Sequence, residues 1–256
     1  MMKSQRKNTW AVLFFSLILG AGGFVSAKVD RRPTLAVLYF SYDGPNAELV
    51  MLKKGLAEML ITDFAELSSV RVVERVKLEA ILKELKLNRS QKVDRRTASR
   101  IGKLLGAKYM VLGHYFDQLG QLCVMAKLVE VETSRVLPSA SHCAPKAQFL
   151  QIEQHISQRL KTVISTKLES FSKRRRASKP TKVAVKKRGG VGAPGALVRA
   201  PRRLTMKMAV RYAKALDARD RGDTKGARVL LQKIVKEKPD FRLAARTLKK
   251  LGKRVQ

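Results

Sequence analysis

The stretch Val70–Leu87, VRVVERVKLEAILKELKL, constrains the fold more than any other part of the chain. Its first six residues, VRVVER, hold three β-branched valines and alternate like a strand with one buried face. It then turns at once into a helix, because Val76, Leu78, Ile81, Leu82, Leu85 and Leu87 recur at three- and four-residue spacing. Such a strand needs neighbours. The apolar runs LAVLYF at Leu35–Phe40 and KYMVLGHYF at Lys108–Phe116 are the candidates. Residues 34–171 therefore read as packing around one sheet.

Leu35–Phe40 is apolar almost throughout, as in a strand covered on both faces. Ser41–Pro45 reads as a turn. A helix over Asn46–Leu67 presents Leu49, Leu52, Leu56, Met59, Leu60 and Phe64 on one face. With Val70–Arg75 it closes a βαβ unit whose crossover is expected to be parallel and right-handed. Asp94 caps a helix over Arg95–Leu105, which Gly106 stops. Lys108–Phe116, Gln121–Glu132 and Val136–His142 read as further strands, and Gln148–Phe171 as a last amphipathic helix. The predicted class is α/β: a mixed sheet of about five strands with flanking helices, ordered β-α-β-α-α-β-β-β-α. A small all-α helical module follows at the carboxy terminus.

Residues 1–27 read as a secretory signal peptide. Lys3, Arg6 and Lys7 precede the apolar run WAVLFFSLIL, and Val25-Ser26-Ala27 suits cleavage between Ala27 and Lys28. The run is shorter than the roughly 20 residues of a spanning helix, and glycines break it. No cysteine lies near Ala27 to take a lipid. The expected divisions are a signal peptide at 1–27, an α/β domain at 28–172, a basic disordered linker at 173–203 and a helical module at 204–256.

The net charge of +34 falls mostly behind the sheet domain. Residues 173–203 hold 12 basic residues and no acid, among glycines and prolines without helical or strand period. Lys173, Arg174, Arg175, Arg176, Lys186, Lys187 and Arg188 are the candidate contacts for an anionic membrane surface or lipopolysaccharide. Nucleic acid is disfavoured, because the linker has no aromatic residue to stack on bases. From Leu204 the helical period returns. Ala215, Gly222, Ala227, Leu231 and Pro239 have the spacing of one tetratricopeptide unit, with Asp223 capping its second helix and Phe241–Leu251 closing it. One unit cannot bury both faces, so the hairpin is expected to dock on the sheet domain, pair with another chain or bind a peptide.

The succession LAVLYF, GLAEMLITDF, VRVVER with KLEAILKEL, KLLGAKYMVLG and AKLVEVETSRVL resembles the curli-secretion (CsgG-like) family and the related amino-terminal domain of TolB. The likeness spans Leu35–Phe171. Leu60, Asp63, Arg75, Glu84, Gly106, Ala107, Gly113, Val131 and Thr133 fall where that pattern places comparable residues. It implies a periplasmic or outer-membrane protein acting in assembly or export, with no catalysis and no cofactor. Its partners would be envelope or secreted proteins, or further copies of itself. An alternative is a subunit of a curli-type secretion channel. Against it, a spanning strand takes about 9–11 residues, and the sheet hairpins here have no such insertion.

The residues hold no motif for catalysis. There is no phosphate-binding loop and no nucleophile elbow, and Gly190, Gly192 and Gly195 match a dinucleotide fingerprint without its strand and helix. His114, His142 and His155 stand singly, without metal-ligand spacing. Glu74, Arg75 and Glu84 are compatible with a buried ion network, but a strand-end charge pair and a solvated helix face are the preferred reading. Cys123 falls on the fourth predicted strand and Cys143 at or just past the fifth, its expected neighbour, where a disulfide and two buried thiols are both compatible with an exported chain.

Overall fold

In the computed structural model the described residues are 30, 32–86, 94–177 and 204–252. The signal-peptide reading, with Ala27 and Lys28, lies outside them, as do Lys186, Lys187 and Arg188. The strands are β1 (Thr34–Val37), β2 (Ser41–Tyr42), β3 (Arg71–Val72), β4 (Tyr109–Gln118), β5 (Gln121–Glu130), β6 (Arg135–Val136) and β7 (Ala140–Pro145). The helices are α1 (Leu52–Phe64), α2 (Arg75–Glu84), α3 (Arg95–Leu104), α4 (Phe149–Ala177), α5 (Met206–Asp220), α6 (Thr224–Glu237) and α7 (Arg242–Gly252).

The sheet is mixed, as expected. β3, β1 and β4 run parallel, so the first crossover, through α1, is a βαβ unit. β5 is antiparallel to β4, and both β6 and β7 pair with β5. Among the described residues seven strands form where about five were expected, because two short ladders escape a periodicity reading. Ser41–Tyr42, read as turn, pairs with His114 and Tyr115. Residues 38–40 face only 112 and 113 across the interruption, so the strand bulges there. Gly113 makes room for the bulge: a Cβ on it would fall 2.1 Å from the Phe40 ring. The helix expected over 46–67 is divided into a 3-10 turn at Ala47–Met51, capped by the Asn46 side chain, and α1.

Alternation along the strands separates two apolar layers. Leu35, Val37, Val111, Val124 and Leu128 face α1 and α4, whereas Ala36, Leu38 and Met110 pack with Leu78 of α2 and Ile101 of α3. Hence the run Leu35–Leu38, through β1 and the residue after it, holds no polar residue: both its faces are covered. α4 runs on to Ala177, so Lys173, Arg174, Arg175 and Arg176 continue a helix instead of opening a linker at 173.

The carboxy-terminal helices are not a separate body. The described residues from 32 onward form one compact unit, and the larger apolar layer includes Leu204, Tyr212, Leu216, Leu231 and Phe241. Of the three destinations open to the hairpin, the structure shows docking on the sheet domain. Gly55 of α1 permits it, since a Cβ there would lie 3.2 Å from the Ala213 Cβ and 3.3 Å from the Ala209 carbonyl of α5. Within the module, Asp223 caps α6 through the Gly226 amide at 2.8 Å, and Gly222 turns the chain at φ +88°.

Candidate functional site: the junction between the sheet domain and the helical module

Charged side chains from three helices meet where α5 crosses α1. Lys54 points out of the α1 face that contacts α5, and its side chain is 1% exposed. Its Nζ donates to Asp217 Oδ1 and to Asp220 Oδ2, both at 2.8 Å, and lies 3.3 Å from Glu79 Oε1. Arg75 opens α2 and turns back under the same helix. Its two terminal nitrogens donate to both oxygens of Asp220 at 2.6 and 2.9 Å, and its Nε donates to Glu58 Oε2 at 3.1 Å. Tyr39, in the β1–β2 bulge, accepts from Arg75 at 2.9 Å and donates to Glu79 at 2.6 Å. Arg221 pairs with Asp217 at the rim.

The arrangement satisfies what burial demands. Two cations are shut from water, and each is met by more than one carboxylate, in the Arg75–Asp220 case through a two-point fork. Burial alone would push the Asp220 carboxyl up, but the hydrogen bonds and charge of Arg75, with those of Lys54, hold it below the usual carboxylate range. Burial raises the Tyr39 hydroxyl well above its ordinary value, so it stays a neutral relay between Arg75 and Glu79. The assembly has the chemistry of a latch: it ties α1, α2 and α5 together and leaves no buried ammonium open to a substrate.

Arg75 is therefore the correction to the sequence reading. It is 2% exposed and central to the latch, while Glu74 and Glu84 are exposed. Lys54, Asp217 and Asp220 drew no attention in the sequence. The signal lay in their spacing: Lys54 and Glu58 are one turn apart, as are Arg75 and Glu79, and Asp217 and Asp220 are three apart, each pair beside apolar positions of its helix. Several residues that carry the family resemblance prove to be folding residues. Leu60, Ala107 and Val131 are buried, Gly106 ends α3 at φ +61°, and Thr133 Oγ1 donates to Glu130 at 2.9 Å.

Beside the latch, α1, α4 and α7 enclose a groove of about 590 Å3. Met59, Leu150 and Phe241 line it together with the acidic Asp63 and Glu66 and the basic Arg242 and Arg246. His155, read as solitary, also lines it and stacks on His142 of β7, with ring centroids 4.3 Å apart. Cys123 and Cys143 face each other in register on β5 and β7 and are joined by a disulfide. At the head of the sheet, Asp117 accepts from Tyr42 and from Lys146, which fastens β2 and the end of β7 to β4. Among the described residues, no helix is long and apolar enough to cross a membrane, and no cluster of His, Cys, Asp or Glu suits a metal ion.

Residues 30–117 match the model of the family described as curli production assembly/transport component CsgG. No curated protein matches the sequence. Among solved structures, the chain is similar to the LpoB C-terminal domain from Salmonella enterica, with 17% identity over 44% of this chain and 82% of that one and a TM-score of 0.38. It is also similar to TolB from Acinetobacter baumannii, with 16% identity, 54% and 29% of the two chains covered and a TM-score of 0.37. A third is the PelC dodecamer from Paraburkholderia phytofirmans, with 12% identity, 50% and 83% covered and a TM-score of 0.29.

Proposed function

We propose that this protein is a non-enzymatic component of the cell envelope that assists the assembly or export of outer-membrane or extracellular components through protein–protein contacts. The match of residues 30–117 to the CsgG family model carries the reading. The latch supports the non-catalytic part: two of the most deeply buried cations, Lys54 and Arg75, are each committed to carboxylates across the junction. The helical module acts as a tetratricopeptide-like unit completed in cis. α1 covers the face of α5 that a second repeat would otherwise cover, and α7 covers the other end. The sheet domain and the module thus present their surfaces to a partner as one rigid body. The channel reading is the weaker one, since β4 and β5 are joined through Leu119 and Gly120 alone, with φ of 49° and 78°. That hairpin has no residues to spare for barrel strands.

Fractionation of cells producing the full chain, with mass spectrometry of its amino terminus, tests the proposal. The expected result is an envelope protein beginning at Lys28. A cytosolic protein that keeps residues 1–27 would overturn it.

A further inference from the structure

The latch changes the electrostatics of the module it holds. Residues 204–252 contain 14 basic and five acidic residues. All five acids are engaged. Asp217 and Asp220 turn inward to Lys54 and Arg75. Asp223 caps α6, Glu237 pairs with Arg211 at 2.6 Å, and Asp240 pairs with Lys238 at 3.1 Å. The side of the hairpin away from α1 is therefore left with cations that have no acidic partner among the described residues.

On that side, α6 presents Lys225, Val229, Lys233 and Lys236, all exposed and at spacings that fall on one helix face. α5 presents Lys207 and Lys214, and the Arg211–Glu237 pair between them joins the two stripes across the hairpin. Val229 is 64% exposed in the middle of the α6 lysines.

We infer that this α5–α6 face is a docking surface for an anionic phospholipid bilayer. The exposed cations of this face, Lys207, Lys214, Lys225, Lys233 and Lys236, are lysines: compact, strongly hydrated point charges on flexible stems. They suit a fluid surface of dense negative charge better than a shaped carboxylate site, for which arginine forks are the better match. Val229 adds a short apolar contact at headgroup depth. Nucleic acid is disfavoured because both aromatic residues of the module, Tyr212 and Phe241, are buried and offer no stacking surface. The surface belongs to the folded hairpin and not to residues 178–203. It depends on the charge and geometry of the module, not on the proposed envelope role.

The test is co-sedimentation of the full chain with vesicles of phosphatidylcholine containing one part in three of phosphatidylglycerol, beside vesicles of phosphatidylcholine alone. The variant is Lys225→Gln, Lys233→Gln, Lys236→Gln, whose positions are exposed and away from the latch; circular dichroism confirms its fold. Each lysine near an anionic surface contributes about a fivefold gain in partition. The triple variant should therefore lose about a hundredfold on anionic vesicles. The companion variant Lys186→Gln, Lys187→Gln, Arg188→Gln should keep most of the α6-dependent binding. Binding of the α6 variant within threefold of the parent, equal binding to neutral vesicles, or capture by soluble polyglutamate without vesicle binding would each overturn the inference. None of these results bears on where the protein resides in the cell, which the fractionation decides separately.

Discussion

Replacing Asp220 by alanine is the sharpest way to perturb the latch. Asp220 accepts two hydrogen bonds from Arg75 and one from Lys54, and all three side chains are at most 9% exposed. Without it, a guanidinium and an ammonium remain buried with fewer carboxylates than they need. Breaking a buried pair from one side costs about 3–5 kcal/mol, a large share of the roughly 5–15 kcal/mol that holds a typical domain. For a chain of this size, the melting temperature should fall by about 6–20 °C. Urea denaturation followed by circular dichroism measures the loss directly. The pH dependence is a second signature. The folded Asp220 titrates below the ordinary carboxylate range, so its contribution is complete above the unfolded value of about 3.9 and disappears as pH falls through the lower folded value. The deficit of the variant should be constant between pH 5 and 8 and shrink only below about pH 4. A loss under about 1 kcal/mol, the size of an exposed ion pair, would refute the claim that the junction is dry.

Three further outcomes follow from the geometry. Gly55→Leu should destabilise the protein by about 1–3 kcal/mol or more, since its Cβ already meets Ala213 at 3.2 Å; the readout is the urea midpoint, and an unchanged value would mean α5 does not pack there. Reducing Cys123–Cys143, which spans 20 residues, should cost about 3 kcal/mol in the chain-entropy account; denaturation with and without a phosphine reductant measures it, and no difference would remove the bridge from the fold's support. Slight desolvation of the largely exposed ring, then the charges of His142 and Arg159, hold the His155 imidazole below its ordinary value. The unfolded chain therefore takes up that proton first, and stability should fall as pH drops through about 6.5 and level off below the folded value. His155→Gln should flatten that slope, and an unaltered slope would contradict the assignment.

The parts of the fold that sequence reveals are those governed by local pattern. β1 and β4 show themselves as apolar runs because both faces are covered, and β5 shows itself by alternation because one face packs under α4. Asp94 and Asp223 mark helix starts, since the cap is made within three residues. Ser41–Tyr42 stays hidden, because two residues have no period and their pairing depends on the bulge opposite Gly113. The latch is the extreme case. Lys54 and Asp220 are 166 residues apart, and nothing local says that a lysine on an otherwise ordinary helix will be sealed by a second module. His142 and His155 likewise become a pair only when α4 folds back beside β7.

The central claim is that the helical module is fixed to α1 by the latch and moves with the sheet domain. A paired substitution, Gly55→Cys with Ala213→Cys, tests it most directly, because the two Cβ positions are 3.2 Å apart, near the roughly 3.5–4.5 Å of a disulfide. Mild oxidation followed by alkylation and non-reduced mass spectrometry should find a second bridge, within a single chain, in nearly all molecules. Two alkylated thiols at 55 and 213, or bridges formed only between chains, would contradict the account.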